Sequence, residues 1–369
     1  MFPMLALLCA HGTLAILQYP MLGFWLAFPF FLVCLERSTR LAHGIRKVKA
    51  RLEILDEYTV TITFNHPRGN WWNYEAGQYV FLQVPSISFW EWHPFTVSIS
   101  NGKLVQVHIQ TGGDWTRRLR TLDTKNDILI GVDGPFGAPA QRFYEFNRTI
   151  VLGAGVGITP FSAIITDLEQ KLVQGLDPWA HVRRTDGLKT DEEGSVEMFA
   201  VPPEPAEDGS KPRASTVKRR TDFHWIVRER EDLLWFSTLL NRAYDISQTL
   251  PSSLLGLRIN TYVTNKHKDL STYVFRYLLD SRRTSPSAYS PLTGLKMRSQ
   301  FGRPDLEETL RDYHNEMKEL QWKGGRVGVF FCGSRSIGAI LAQTCTKLNA
   351  ISRRDGTKIK YVFIMEVFG

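Results

Sequence analysis

The run "HPFTVSIS" sets His93, Pro94, Phe95 and Thr96 at the head of a segment that alternates apolar and polar residues. Pro94 has no N–H for a ladder and belongs at the start or edge of a strand. Such a strand either turns Thr96 and Ser98 to water or stops short and shows hydroxyls and N–H groups to a bound ring system. The stretch alone leaves both readings open. In "IVLGAGVGITPF", Gly153, Ala154, Gly155, Val156 and Gly157 lie between an apolar strand and a helix opened by Thr159-Pro160. Glycines there let backbone approach a pyrophosphate at the helix N-terminus. The third glycine comes one residue early for the usual dinucleotide fingerprint, and a tight turn without a ligand is an equal reading. "VHIQTGGDWT" holds His108, Gln110, Gly112-Gly113 and Thr116. A helix expected near Arg117, capped by the Thr116 hydroxyl, is either a phosphate seat or an ordinary capped helix. Cys332-Gly333 ends the apolar "VGVFF". Open α/β sheets bind ligands at such carboxyl ends, although a buried structural thiol is the plainer reading. The terminal "YVFIMEVFG" puts Glu366 and Phe368 on one face of a strand by alternation. A terminal aromatic is ordinarily the last plug of a core.

Two kinds of element must position these groups. Residues 48–143 read as short strands with turn residues at close, even spacing, interrupted once by a helical stretch at 117–124. That texture predicts an antiparallel barrel over 45–143. From 144 to 369 apolar strands alternate with amphipathic helices, which predicts a doubly wound parallel sheet. The fold class is therefore an all-β domain followed by an α/β domain. Two polar segments, 174–221 (with "VPPEPAEDGSKPR") and 281–300, interrupt the second texture and are expected to be loosely ordered insertions.

The chain has 369 residues, enough for two or three domains, and 43% hydrophobic residues, which excludes a wholly disordered protein. The net charge of +8 comes largely from clusters, one at Arg37–Arg51 and another at Lys211–Arg220. No helix-turn-helix, finger or RNA-binding signature accompanies them, so a nucleic-acid partner is not expected. Cys9, Cys34, Cys332 and Cys345 show no CxxC and no metal-ligand spacing, which predicts no metal site, reduced thiols and a cytosolic main body. Residues 2–35 carry no charge and are split at Pro20 into two apolar pieces, 4–17 and 21–36. The second, followed at once by the first basic cluster, is expected to be a membrane helix within a segment 1–40, with everything after it on the cytosolic side. A cleaved signal peptide fits less well, lacking a charged n-region and a small-residue cleavage site.

The order of these motifs resembles the ferredoxin–NADP reductase superfamily and, within it, the dehydrogenase half of the NADPH oxidase and ferric reductase family. "HPFT", "GDWT", "DGPFGAP", "GAGVGITPF", "VGVFFCG" and "GRP" at 302–304 all stand as that family has them, with weaker echoes in "HWIVRE" and "INTYVT". The resemblance covers nearly the whole chain outside the polar insertions. It implies a flavoprotein that moves electrons from NADPH through FAD toward haem and oxygen, yielding superoxide or hydrogen peroxide, at the plasma membrane. By resemblance, His93, Pro94, Phe95 and Thr96 line the flavin, while His108, Gln110, Gly113 and Thr116 reach the pyrophosphate and ribose of FAD. NADPH would be held by Gly153 to Gly157, Thr159, Pro160, Cys332 and Gly333, with Arg228 and Arg303 on its 2′-phosphate. Cys332, Glu366 and Phe368 would stand at the reacting rings, Phe368 as a lid on the flavin.

The sequence departs from the family's pattern in places. Gln110 stands where the family has an arginine, leaving Arg117 or Arg118 to supply positive charge; Ser334-Arg335 replace a proline after "CG"; and Gly369 follows the terminal aromatic. The only histidine of the apolar region is His11, which matches a non-ligand position, so haem is not expected to be bound by this chain alone. Haem-bearing helices would lie outside this chain or come from a partner. A ferric-chelate reductase, or a non-catalytic membrane-anchored partner, are the alternative readings.

Overall fold

The computed structural model describes residues 4, 21–66, 72–179, 219–249, 255–265, 274, 278, 289–290 and 293–366. The helix expected at 21–36 forms as α1 (Met21–Ile45, 25 residues), which Glu36 to Ile45 continue beyond its uncharged part. Its uncharged portion ends at Leu35, about 15 residues or roughly 22 Å of rise, against the ~30 Å of a bilayer core. Among the described residues no helix is long and apolar enough to cross a membrane, which corrects the expectation of a spanning helix. The other apolar piece, 4–17, lies outside the described residues apart from Met4.

The barrel follows directly. Strands β1 (Val48–Ile54), β2 (Thr59–Asn65), β3 (Tyr79–Gln83), β4 (His93–Asn101), β5 (Leu104–Gln110) and β6 (Ile128–Phe136) close in the order β1-β2-β5-β4-β3-β6. Every neighbouring pair is antiparallel. Alternation sends Leu52, Ile62, Val107 and Ile109 inward, where they pack with Val80, Leu82 and Ile130. Pro94 is tolerated near the start of β4 because it pairs there only with Phe81 of β3, the ladder to β5 beginning at Val97, so no bond to β5 is lost at the residue without an N–H. The β4–β5 register shifts between Val97 and Ile99, a bulge that takes Ser98 out of the ladder and re-aims it. Helix α2 (Asp114–Leu119) plugs the barrel with Trp115 and Leu119.

The second domain is a six-stranded parallel sheet in the order β10-β9-β8-β7-β11-β12. Its strands are β7 (Arg148–Ala154), β8 (Arg220–Val227), β9 (Gly256–Val263), β10 (Ser299–Phe301), β11 (Arg326–Cys332) and β12 (Lys360–Glu366). Helices α3 (Thr159–Val173) and α4 (Ser237–Thr249) cover one face, packing on Val151, Phe223 and Phe330. Helices α5 (Leu306–Glu319) and α6 (Arg335–Arg354) cover the other, on Ile150, Leu152 and Val329. Buried on both faces, β7 and β11 carry apolar runs ("IVLGA" and "VGVFFC"), whereas the equally buried β8 holds Arg220, Asp222 and His224 among its apolar residues.

The polar segments behave differently from their composition at their ends. Arg220 and Thr221, placed in the first insertion, open β8 and are buried because they pair between β7 and β9. Thr293 and Leu295, placed in the second, are fully buried, and Ser299-Gln300 pair with β9. The middle of the first segment, 180–218, lies outside the described residues.

Candidate functional site: a pocket shared by the barrel and the parallel sheet

The two domains meet where β4 and β5 of the barrel face the first turn of α3. Ser162 Oγ donates to Ser98 O at 2.9 Å, Gln170 Nε2 donates to Ser100 O at 3.3 Å, and Phe236 lays its ring 4.4 Å from that of His108. Beside this seam opens a cavity of about 660 Å³. From the barrel come His93, Pro94, Phe95 and Thr96 at the start of β4, His108 and Gln110 at the end of β5, and Gly113 and Thr116 around α2. From the sheet come Ala154, Val156, Gly157 and Thr159 after β7, and Cys332 and Gly333 after β11. Segments far apart in the sequence are thus gathered into one wall system, on the carboxyl ends of the parallel strands.

Local geometry explains why glycine stands where it does. Gly155 has φ +55, and a Cβ on Gly157 would fall 2.4 Å from the carbonyl oxygen of Cys332. The turn Gly155–Ile158 therefore lies against the end of β11, and α3 starts at Thr159 with Pro160 in its first turn. Gly153 and Gly155 shape this turn without lining the cavity, and Pro160 is buried under it.

The polar groups of the cavity are of two kinds. His108 is buried, which holds its ring down at about 3, so it is neutral. Ser98 Oγ donates to Gln106 O at 2.8 Å and lies 2.7 Å from His108 Nδ1. With its single proton so used, Ser98 accepts from Nδ1–H, and Nε2 of His108 is left as an acceptor. By contrast the buried Thr96 Oγ1, His93 Nε2 and Trp115 Nε1 have no hydrogen-bond partner among the described residues. Trp115 is held between His93 and Phe95, at ring distances of 4.4 and 5.9 Å. Buried polar atoms without partners are rare, and three on one cavity wall fit a polar ring system seated there.

Thr116 differs from expectation. The helix begins at Asp114 with Gly113 as its cap, and the Thr116 hydroxyl both accepts from Gly113 N and donates to Gly113 O, each at 3.0 Å. It closes the turn instead of standing free, because at the third helical position it reaches back to the cap. Arg117 brings a guanidinium to this wall, with Nη2 donating to Gly112 O at 3.1 Å. Gln110 is exposed on the cavity rim.

Cys332 and Glu366 are paired in register on β11 and β12. Burial, with Glu366 nearby, pushes the Cys332 thiol up to about 12. Burial raises Glu366 to about 7, opposed by the Ala140 N–H, which donates to its Oε2 at 2.8 Å. Glu366 does not line the cavity but sits behind Cys332. Arg228 and Arg303 also stand off it, both exposed, just beyond the carboxyl ends of β8 and β10. Phe368 lies outside the described residues. Sequence reasoning gave no ligand role to Ile109, Gly112, Asp114, Trp115 or Ser334, which also line the cavity. For Trp115 a signal existed: a buried indole N–H needs a partner.

A closed antiparallel barrel followed by a doubly wound parallel sheet, sharing a cavity at the strand ends, is a ferredoxin–NADP reductase-like fold. The FAD-binding domain family matches residues 44–140, and the ferric reductase NAD binding domain family matches residues 146–346. The latter takes in more than half of the chain, which belongs to the NADPH oxidase and ferric reductase family and carries an FAD-binding and an NADP-binding domain. The chain is 26% identical to a superoxide-generating NADPH oxidase heavy chain of Dictyostelium discoideum, over 94% of its own length and 45% of that protein. It is 28% identical to NADPH oxidase 1 of Mus musculus, over 93% of this chain and 50% of that one. The respiratory burst oxidase homolog protein A of Solanum tuberosum is 26% identical, over 96% of this chain and 38% of that one. The chain thus spans about half the length, or less, of the curated relatives it matches. Among solved structures, the ferredoxin NADP+ reductase of Neisseria gonorrhoeae with bound FAD and NADP superposes with a TM-score of 0.48 at 15% identity, over 86% of this chain and 97% of that one.

Proposed function

We propose that the chain is the dehydrogenase part of an NADPH oxidase-type system, taking hydride from NADPH and sending electrons outward to haem and then oxygen, with superoxide or hydrogen peroxide as product. When bound, FAD supplies the conversion between a two-electron hydride and single electrons. The observation that carries the reading is the wall of unpartnered polar atoms at Thr96, His93 and Trp115, facing the glycine turn and Cys332 across one cavity.

In this reading the Thr96 hydroxyl and the β4 backbone meet the polar edge of the flavin, and Trp115 Nε1 donates beside them. His108, with Nε2 as acceptor, takes a hydroxyl of the ribityl or ribose chain rather than a phosphate, since an anion needs donors. Arg117 supplies the positive charge that Gln110 does not, opposite the pyrophosphate. The glycine turn lets the nicotinamide nucleotide approach, and the uncharged Cys332 thiol packs against the reacting ring and keeps water off it. Glu366 holds a proton behind that thiol near neutral pH. Arg228 and Arg303 flank the same strand ends and pair with the 2′-phosphate that distinguishes NADPH. Membrane attachment is supported by the exposed Phe28, Phe30 and Phe31 of α1 ahead of the basic cluster, with the dehydrogenase on the cytosolic side of the plasma membrane. Haem is carried outside the residues of this chain. Oxygen as terminal acceptor is favoured by the names of the relatives; a ferric chelate is the second reading, favoured by the matched ferric reductase domain.

Purified full-length chain in detergent should show flavin absorbance and oxidise NADPH in preference to NADH with an artificial acceptor. Arg303→Ala should raise KM for NADPH about tenfold and leave that for NADH unchanged, a loss typical of one charge-assisted contact. A colourless protein, or an equal effect on both nucleotides, overturns the assignment.

A further inference from the structure

The loop between β3 and β4 carries aromatics that the folded chain does not cover. Trp90 is 80% exposed and Phe89 44% exposed, and they meet edge to face at 5.2 Å. Nothing in the catalytic cavity uses them, although the loop runs directly into His93. Its next aromatic, Trp92, is anchored instead: a Cβ on Gly131 would come 2.9 Å from its Cη2, so the far edge of that ring rests against β6. The exposed pair is therefore displayed by a fixed base rather than left on a loose tip.

A cation is built into the same patch. Lys47 Nζ stands 5.5 Å from the centre of the Phe89 ring and donates to Gln83 Oε1 at 2.6 Å. Gln83 in turn donates through Nε2 to the Phe89 carbonyl, tying strand, lysine and loop together. Exposed Arg46 and Lys49 flank Lys47, and exposed Leu129 is paired to Lys49 across the β1–β6 ladder. Lys47 lies two residues beyond the end of α1, whose Phe28, Phe31 and Leu35 are exposed. Amphipathic aromatics edged by lysine and arginine, continuous with an apolar helix, match the interfacial layer of an anionic bilayer in both polarity and charge.

We propose that Phe89 and Trp90, with Arg46, Lys47 and Lys49, form a membrane-contact patch that seats the barrel on anionic lipid headgroups. The proposal rests on the membrane attachment read above and names the surface that makes it. From Glu36 to Ile45 α1 rises about 15 Å, more than the headgroup layer is deep. The patch then reaches the lipid with α1 inclined to the membrane plane. Inclination also fixes the height of His93, three residues from Trp90, relative to the bilayer.

The test is site-directed spin labelling of the full chain in vesicles of phosphatidylcholine and phosphatidylserine, 7:3. In a Cys9→Ser, Cys34→Ser background, Trp90→Cys is labelled and compared with Leu104→Cys, an exposed position elsewhere on the barrel. Collision with oxygen should exceed collision with an aqueous nickel chelate at 90 by about tenfold relative to 104. Lys47→Glu with Lys49→Glu should abolish that excess, as should vesicles of phosphatidylcholine alone. Equal aqueous access at 90 and 104 overturns the proposal. So does protection of 90 from both reagents, which would mean a protein covers the patch. Flavin absorbance and NADPH oxidation measured on the same samples separate this failure from failure of the functional reading: active, flavin-bound protein without lipid contact at 90 sinks the patch alone.

Discussion

The two ends of the parallel sheet use charge in opposite ways. At the amino ends of β7, β8 and β9, Arg220 donates to both oxygens of Asp222 at 2.7 and 2.5 Å and to Glu316 at 2.9 Å. Arg258 completes Glu316 with bonds of 2.9 and 2.7 Å, Arg220 stacks over Tyr313 and Arg148 over Trp322. The Arg220–Asp222 pair at its centre is buried, and its charges are satisfied from within the chain, with only the Tyr313 hydroxyl beneath it left without a partner among the described residues. At the carboxyl ends, the cavity wall holds polar atoms without a partner and turns of bare glycine. A satisfied network fixes a register; an unsatisfied one marks where a ligand completes the structure.

The largest expected effect breaks the satisfied end. Arg220→Ala leaves Asp222 buried and uncompensated, and losing one partner of a buried ion pair costs about 3–5 kcal/mol. Urea unfolding should show this as a lower midpoint, while KM for NADPH of the molecules that remain folded stays at the parent value. A shifted KM with unchanged stability would mean that the amino end of the sheet belongs to the site after all.

A somewhat smaller effect lies at the carboxyl end, at Glu366, the last residue of β12. Burial raises its folded pKa to about 7, above the ordinary carboxylate value of an unfolded chain. The folded state then holds an extra proton between those two values. Its contribution to stability is complete below the unfolded pKa and is lost as pH rises through about 7. At about 1.4 kcal/mol per unit the whole excursion is at most about 3.5 kcal/mol. Glu366→Gln keeps an acceptor for Ala140 N and cannot ionise, so the difference in stability between parent and variant should grow from pH 5 to pH 8. Parallel pH profiles for the two proteins would show that this carboxyl is not protonated in the fold.

Much of this arrangement is legible in the residues. Alternation in "LVQVHIQ" and the unbroken apolar run in "VGVFF" follow from burial on one face or on two, and they mark barrel and sheet correctly. "HPFT", "GDWT" and "GAGVGITPF" converge because turns at strand ends are where backbone is free to meet a ligand. What is not legible depends on contacts distant in sequence. Thr116 looks like a free cap, but Gly113 takes both faces of its hydroxyl. Arg220 and Thr221 look like the end of a polar linker until β7 and β9 pair on either side of them. The described apolar stretch before Glu36, residues 21–35, looks like a span, but its roughly 22 Å of helical rise falls short of a bilayer core. Trp115 reads as part of a motif, and only its burial without a partner shows that its N–H points to an unfilled role.

The finest discrimination concerns hydroxyls, since Thr59 Oγ1 and Thr61 Oγ1 are also buried without partners. Neither lines the cavity, whereas Thr96 does. Lack of a partner alone does not define a ligand contact; lack of a partner on the cavity wall does. Valine is nearly isosteric with threonine and removes only the hydroxyl, so in protein stripped of flavin all three substitutions to Val should be neutral or slightly stabilising, each ending the burial of an unpaired polar atom. With FAD present they should part company. Thr96→Val forgoes one hydrogen bond of about 1 kcal/mol, so the FAD dissociation constant, followed by flavin fluorescence quenching, should rise about fivefold. Thr61→Val, two strands away and opposite His108 in the β2–β5 ladder, should leave it unchanged. Equal losses at both positions would mean that the valines act through barrel packing, and no loss at either would remove Thr96 from the flavin edge.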